Sequence, residues 1–151
     1  MDEIDFKIIK TLKRNGRSSA SELSKQVNLS VPAVSERVKK IEQAGIIKKY
    51  TVQIDRNKTK HKLLAFILVN TDLSKNMDDF KSVILDYDNV LECHHTSGEY
   101  DFLLKVLAED TQTLEEFLSS KLSKIDGIQK SNTTIVLSTV KEEININNEF
   151  K

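Results

Sequence analysis

Only one cysteine, Cys93, occurs among the 151 residues. A lone cysteine cannot form an intramolecular disulfide, so we expect a reducing compartment, the cytoplasm. The sequence also lacks any apolar run near the roughly 20 residues of a membrane-spanning helix, which argues against a membrane partner. Its first residues include Asp2, Glu3 and Asp5, unlike the basic start of a secretory signal, and we expect no such signal.

Motifs of the common catalytic and cofactor sites are missing too. The sequence has neither a P-loop nor a G-x-G-x-x-G fingerprint, and no nucleophile is paired recognisably with a base. Cys93, His94 and His95 are adjacent, but neighbouring strand residues point to opposite faces, so the two histidines would not converge on one ion. Cys93 is more simply interpreted as a small buried hydrophobic residue. We expect no catalytic residues, no metal and no enzyme.

Charge is balanced overall but unevenly distributed along the chain. Residues 1–60 carry 14 Lys and Arg against 7 Asp and Glu, whereas residues 61–151 carry 9 against 16. A basic module near a polyanion gains affinity by releasing counterions from its phosphates. The acidic module would avoid DNA and is free to bind itself or something small. The distribution indicates two modules with different partners.

The stretch from Ser30 to Gly45 predicts a short exposed helix. Four apolar residues recur on one face: Val31, Val34, Val38 and Ile41. Ser30 can cap this helix, Pro32 fits its first turn, and Gly45 can end it. The outer face carries hydroxyl and basic residues: Ser35, Arg37, Lys39 and Lys40. Such a helix suits a DNA major groove; a solvated surface helix is the alternative, and the preceding residues decide between them.

Two shorter helices are predicted before that stretch. Asp2 can cap the first, whose inward residues are Ile4, Ile8, Ile9 and Leu12. Ser19 and Glu22 form a capping box that opens the second, whose inward residues are Ala20, Leu23 and Val27. A tight turn at residues 28–30 then makes a helix-turn-helix. Residues 46–52 predict a small wing or connector strand, where Lys48 and Lys49 can meet phosphates.

The chain changes character after the first third. Residues 54–62 are polar and basic without apolar periodicity, and we interpret them as a linker. They separate an N-terminal domain, residues 1–53, from a C-terminal domain, residues 63–141. A polar tail follows at residues 142–151, to which we assign no role.

The C-terminal domain predicts the order β-α-β-β-α-β. A near-continuous apolar run at residues 63–69 predicts a strand buried on both faces. Strands at residues 90–96 and 100–107 form a hairpin, and a last strand spans residues 128–140. Inward residues of the two helices are Met77, Phe80, Val83, Ile84 and Tyr87 in the first and, after a cap at Thr111, Leu114, Phe117, Leu118 and Leu122 in the second.

This order is the ferredoxin-like arrangement, one antiparallel sheet with helices on one side. The fold class is therefore α+β, an N-terminal helix-turn-helix, winged or plain, followed by a ferredoxin-like domain. Because the first strand is apolar on both sides, the open face of the sheet needs a cover. A second copy of the chain is the simplest cover.

Blocks in both halves resemble the Lrp/AsnC, or feast/famine, family of prokaryotic transcription regulators, from about Ile4 to Lys141. The N-terminal block comprises D-x-x-D-x-x-I-I at residues 2–9, N-G-R at 15–17, E-L at 22–23, L-S at 29–30 and V-x-x-R-V-x-x-I-E-x-x-G-I-I at 34–47. The C-terminal block comprises S-G-E-Y-D-F-L-L-K-V at 97–106 and T-T-I-V-L-S-T-V-K at 133–141. The resemblance implies binding to palindromic double-stranded DNA, homodimers that form octamers or other rings, and sensing of an amino acid between dimers.

Site residues follow from the pattern and the resemblance together. The DNA-binding candidates are Ser30, Pro32, Ser35, Glu36, Arg37, Lys39, Lys40, Lys48 and Lys49. Arg37 is the favoured contact, because a guanidinium can grip guanine or phosphate through two hydrogen bonds. The resemblance places effector binding at Gly98, Glu99, Tyr100 and Asp101, with Ser131, Thr133 and Thr134 as further candidates.

Physical chemistry supports the effector loop, but a plain hairpin turn would look similar. Gly98 lets the backbone approach a ligand closely. Asp101 could accept hydrogen bonds from an α-ammonium group, and backbone N–H groups of the turn could hold an α-carboxylate. The sequence therefore predicts a DNA-binding transcription regulator that responds to an amino acid or related effector. A ligand-independent protein that wraps DNA is the alternative.

Overall fold

The computed structural model describes residues 1–72 and 77–145. The inward side chain predicted at Met77 and the end of the predicted tail lie outside the described residues. The described chain folds as two compact units, residues 1–53 with 141–145, and residues 54–140. The exact limits of the linker and of the two domains stay predictions. Each unit is built by a different kind of packing, helix on helix in the first and helix on sheet in the second.

Three helices form the first unit: α1 (Glu3–Arg14), α2 (Ala20–Val27) and α3 (Val31–Gln43). Asp2 caps α1, accepting hydrogen bonds from the N–H groups of Ile4 and Asp5. Ser19 and Glu22 form the predicted capping box of α2. The Ser30 side chain caps α3 through the Ala33 N–H. These side chains satisfy backbone donors that the first helical turns leave unpaired, which confirms the predicted helix starts.

The core of this unit comes from the predicted stripes. Its buried residues are Ile8, Ile9, Leu23, Val34 and Ile41. Val31 is an exception, since it is 42% exposed in the first turn of α3 and does not join the stripe. Gly45 has φ 70°, and the Ile46 N–H then reaches back to the Ile41 carbonyl at 3.2 Å. This left-handed residue ends α3 where the sequence predicts it.

The strand predicted over residues 46–52 is not formed. The described chain runs there without a strand, and residues Arg56–Lys58 form a single 3₁₀ turn. A β-rich run needs a hydrogen-bonded neighbour to become a strand, and no described strand pairs with this one. Tyr50 and Val52 are left exposed along it.

The second unit has the predicted β-α-β-β-α-β order. Its elements are β1 (Leu63–Thr71), α4 (Met77–Leu85), β2 (Val90–His95), β3 (Phe102–Ala108), α5 (Thr111–Glu116) and β4 (Ile128–Ile135). The strands pair antiparallel in the order β2-β3-β1-β4. After α5 the helical path continues through a π turn, Phe117–Lys121, and a 3₁₀ turn, Leu122–Lys124.

Three local predictions in this unit are wrong. Asp110, not Thr111, caps α5, because the Asp110 carboxylate accepts the Thr113 N–H at 2.8 Å. The last strand ends at Ile135 rather than at residue 140, since its ladder with β1 stops at Ala65. Cys93 is exposed rather than buried, because β2 is an edge strand.

The sheet has one closed and one open face. Alternate residues of β1, Ala65, Ile67 and Val69, are buried with Phe80 of α4 and Phe117 after α5. The other β1 face and its partners on β3 carry apolar side chains that no described helix covers: Leu64, Phe66, Leu68, Leu103 and Leu107. Leu64 is buried, but most of this set is only partly buried, so within one chain β1 is fully buried only on its helix side. Burial of its other face depends on the predicted second copy and stays a prediction. None of the described helices has the length and apolarity to cross a membrane.

We predict that Ser19→Ala lowers the free energy of unfolding by about 1 kcal/mol, because it removes the acceptor of the Glu22 N–H and half of the capping box. Chemical denaturation measures the change. Ser21→Ala is the matched control, since Ser21 is exposed in the same first turn and does not cap it. Equal stability of both variants would show that the cap contributes nothing.

Candidate nucleic-acid interface and ligand loop

The residues predicted to meet DNA surround the exposed side of α3. All but one are exposed: Ser30, Pro32, Ser35, Glu36, Lys39, Lys40, Lys48 and Lys49. Ser30 also caps α3, so its hydroxyl has a structural role. Pro32 lies in the first turn, where no N–H is required. The structure therefore presents these residues to solvent along one short helix and the segment after it.

Arg37 differs from this group because it is held within the fold. Its Nη1 donates to Asp2 Oδ2 and Asp5 Oδ1, both at 2.7 Å, and its side chain is 31% exposed. The two carboxylates raise the pKa of Arg37, Asp5 more than Asp2. One cation against two anions leaves this cluster with a net charge of −1. The guanidinium joins α3 to the start of α1, and the predicted DNA contact by Arg37 stays a prediction.

The lysines of this surface fall into two kinds. Lys40 Nζ lies 2.8 Å from Glu36 Oε1, so that pair is close to neutral. Lys39, Lys48 and Lys49 are engaged by no ion pair within residues 1–72 and 77–145. The uncompensated positive charge of the surface therefore lies on these three lysines.

The first four predicted effector residues, Gly98 to Asp101, lie on a closed loop, residues 96–101, between β2 and β3. The Thr96 N–H donates to the Asp101 carbonyl at 2.8 Å, and Thr96 Oγ1 donates to the Tyr100 carbonyl at 2.6 Å. Gly98 has φ 155°, which side chains disfavour, although a Cβ there would meet nothing within 4 Å. Backbone conformation rather than space thus requires glycine at this position.

Asp101 fastens this loop to the end of β1. Its Oδ2 accepts the Thr71 N–H at 2.7 Å and the Thr71 hydroxyl at 3.2 Å, and its own N–H donates to the Val69 carbonyl at 3.0 Å. These bonds commit one carboxylate oxygen to the fold. The contact predicted between Asp101 and an ammonium group stays a prediction.

Lys130 of β4 is a residue of this region that sequence reasoning missed. Its Nζ lies 3.3 Å from Glu99 Oε1 and 5.1 Å from the centre of the Tyr100 ring. Contacts with Tyr100 and, to a smaller extent, with Glu99 raise the pKa of Lys130. The sequence carries no signal for this contact, because it depends on the register of β4 against β1.

The three further effector candidates, which lie on β4, do not share one face of the sheet. Ser131 and Thr133 lie opposite Val69 and Ile67, on the helix side of the sheet, whereas Thr134 lies opposite Phe66 on the open side. A ligand on the open face could reach only Thr134 among these three.

The side chains of the two neighbouring histidines, His94 and His95, lie on opposite faces of the sheet, as the sequence predicts. His94 lies opposite Leu103 and contacts Glu92 at 3.1 Å, whereas His95 lies opposite Phe102 and packs on its ring at 5.1 Å. Cys93 is exposed, but partial desolvation by its surroundings raises the pKa of its thiol. In the described ranges, no three His, Cys, Asp or Glu side chains are grouped so as to hold a metal ion.

A helix-turn-helix with an exposed basic face, joined in one chain to a separate βαββαβ domain, is the architecture of a DNA-binding regulator of transcription. Comparison with known families gives the same class. Residues 1–48 match the winged helix-turn-helix DNA-binding family, and residues 64–146 match the Lrp/AsnC ligand binding domain. The chain belongs to the Lrp/AsnC family of transcriptional regulators, which confirms the predicted family, fold class and non-enzymatic role.

Similar proteins cover nearly the whole chain. The HTH-type transcriptional regulator FL11 of Pyrococcus horikoshii is 36% identical over 94% of this chain and 93% of its own length. The leucine-responsive regulatory protein of Escherichia coli is 32% identical over 94% and 88%. Among solved structures, a Neisseria meningitidis transcriptional regulator in complex with L-Met has a TM-score of 0.92 at 31% identity, covering 97% of this chain and 96% of that one. Escherichia coli AsnC has a TM-score of 0.84 at 29% identity, covering 96% and 97%.

We predict that acid weakens the fold partly through Asp2. Hydrogen bonds from the Asp5 N–H and, to a smaller extent, from Arg37 hold the pKa of Asp2 below its ordinary 3.8. A depressed pKa contributes stability above the unfolded value, and this contribution is lost as pH falls through the folded value. Below about pH 4 the free energy of unfolding should therefore fall more steeply for the wild type than for Asp2→Asn. Denaturant titrations between neutral pH and acid measure both slopes.

The control is Glu3→Gln, which removes an 84% exposed carboxylate that pairs with Lys7 in the same helix. An equal change of slope in both variants would reflect the loss of any carboxylate from this helix rather than the contacts of Asp2. If Asp2→Asn keeps the wild-type slope, the contact between Asp2 and α3 does not stabilise the fold.

Proposed function

We propose that α3 enters the DNA major groove and that Lys39, Lys48 and Lys49 supply its attraction to phosphates. The observation that carries this proposal is the sorting of charge on the surface around α3. Arg37 lies in a cluster of net charge −1, and Lys40 is paired with Glu36, whereas the three lysines have no ion pair among the described residues. An unpaired cation can contact a phosphate without first breaking an internal contact.

In this arrangement the main role of Arg37 is to position α3. It fixes the exposed face of α3 against the start of α1. Its Nη2 and Nε are still able to approach a base or phosphate once α3 is in the groove. Loss of Arg37 should therefore lower both stability and DNA affinity.

We predict that Lys39→Ala makes the negative slope of log affinity against log salt shallower by about 0.9, the loss of one phosphate contact. The measurement is binding to the protein's own promoter at several salt concentrations. Lys121→Ala is the control of equal charge, because Lys121 lies on the second unit, 5.7 Å from the Tyr87 ring centre. An unchanged slope for Lys39→Ala, or equal slopes for both variants, would remove Lys39 from the interface.

The effector is proposed to be an amino acid that binds beside residues 96–101. The second unit matches a ligand-binding domain, and similar proteins are named as leucine-responsive or were solved with L-Met. The loop is held at its base by Asp101 and Thr96, which leaves Glu99 at its exposed tip. An effector would change regulation by binding more tightly to one state of the protein than to another. A protein that wraps DNA without a ligand would show no such binding.

A homodimer is proposed to form through the open face of the sheet. Five apolar side chains lie there without a covering helix among the described elements, which is unusual for a surface that stays exposed. A second copy would cover the same patch by two-fold symmetry. Larger rings of dimers remain a family expectation. The proposed site of action is the cytoplasm, where a prokaryotic chromosome lies.

We predict that Leu68→Arg, at the centre of this patch, yields a monomer, because a two-fold contact would bring two unpaired cations together. Sedimentation or light scattering at several concentrations measures the mass. Leu85→Arg is the matched control, since Leu85 is 84% exposed at the end of α4. A dimer that survives Leu68→Arg, or a wild type that is monomeric, would contradict the proposed interface.

A further inference from the structure

We propose that Asn70 and Lys130 form a head-group site for a free amino acid, with Asn70 accepting from the ammonium group and Lys130 binding the carboxylate. This inference rests on the proposed amino-acid effector and adds two residues outside the predicted set. It is carried by strand register, by an unpartnered buried oxygen and by a weakly held cation.

Strand register places the two side chains side by side. Asn70 of β1 lies directly opposite Lys130 of β4, and directly opposed residues project to the same face. Since Ala65, Ile67 and Val69 are packed in the core, Asn70 belongs to the open face. The two residues thus occupy one corner of that face, next to residues 96–101.

The ladder is irregular at this corner. Its register shifts between Asn70 and Thr71, so that Thr71 pairs with Ile128 and Gln129 is left over. Bulges of this kind redirect side chains and are common beside functional sites. Asp101 binds the backbone of Thr71 at the same point, which places the loop directly against the bulge.

Asn70 Oδ1 is a buried acceptor without a partner among the described residues. A buried polar atom that makes no hydrogen bond costs free energy, and such atoms are rare in folded proteins. An ammonium group offers three donors and would satisfy it. The orphaned oxygen is therefore suited to the positive end of an amino acid.

Lys130 is suited to the negative end. Its Nζ is held by Glu99 at 3.3 Å, but both side chains are largely exposed, 57% and 74%. Ion pairs this exposed contribute little free energy, so one carboxylate can replace another at small cost. Glu99 thus occupies the position that the carboxylate of a ligand would take. Its displacement would also release the tip of the loop from β4.

The test is calorimetric titration of the full chain with L-leucine and with L-methionine. We expect Lys130→Gln to bind about tenfold more weakly than the wild type, the loss of one charge-assisted hydrogen bond. Lys121→Gln is the matched control, because it also removes a lysine that lies over a tyrosine ring, and it should bind like the wild type. Glu99→Gln should bind severalfold more tightly, since it removes the competing carboxylate from an exposed position.

Two further measurements separate a ligand contact from a structural effect. L-leucinamide, which lacks the carboxylate, should bind the wild type and Lys130→Gln equally. Asn70→Leu should keep or raise the melting temperature, because it removes an unpartnered polar atom, while its affinity for L-leucine falls about tenfold. A parallel fall in melting temperature and affinity would indicate a structural role and overturn the assignment of Asn70.

The outcomes distinguish this site from the proposed function. If the wild type binds either amino acid and Lys130→Gln binds it as well as Lys121→Gln does, the head-group site is wrong and the effector proposal stands. If the wild type binds neither of these two nor any other of the common amino acids in the same titration, the amino-acid effector is wrong and this site falls with it.

Discussion

The presentation of α3 depends on one contact, in which the Arg37 guanidinium meets two carboxylates at the start of α1. Asp2 has two tasks there, because it caps α1 through backbone N–H groups and also receives Arg37. The buried stripe of a short helix determines which of its faces is turned to the core. The ion pairs also constrain the exposed side of α3. They involve Arg37, the residue that the sequence favours as the DNA contact.

A second constraint follows from the two-residue period of β1. Its odd-numbered residues close the core against the helices, so its even-numbered residues must project to the other side. Leu64, Phe66 and Leu68 make that side apolar, whereas Asn70 ends it with a polar group. One strand thereby supplies the core, the proposed dimer face and one corner of the proposed ligand site.

Local signals made much of this architecture predictable. Caps at Asp2 and Ser19, the stop at Gly45 and the change from helical to strand period each involve residues close in sequence. The errors arose where the outcome depends on distant partners. Residues 46–52 have strand composition but no described neighbour, β4 ends where β1 stops pairing, and Cys93 is exposed because its strand is at an edge. The contacts of Arg37 with Asp5 and of Lys130 with Glu99 span about thirty residues and leave no periodic trace.

In both units, the internal ion pairs separate the cation that is held within the fold from the cations that are accessible to a binding partner. Arg37 meets two carboxylates at 2.7 Å, one of them only 14% exposed, so removing it from this contact would leave negative charge partly buried. Lys39 has no ion pair in the described chain, and Lys130 has one exposed partner at 3.3 Å. A polyanion or a carboxylate can bind such lysines at little cost to the fold. Residue type alone would have ranked Arg37 above both lysines as a binding residue. The presence and strength of internal ion pairs instead decide which of these cations is available to bind.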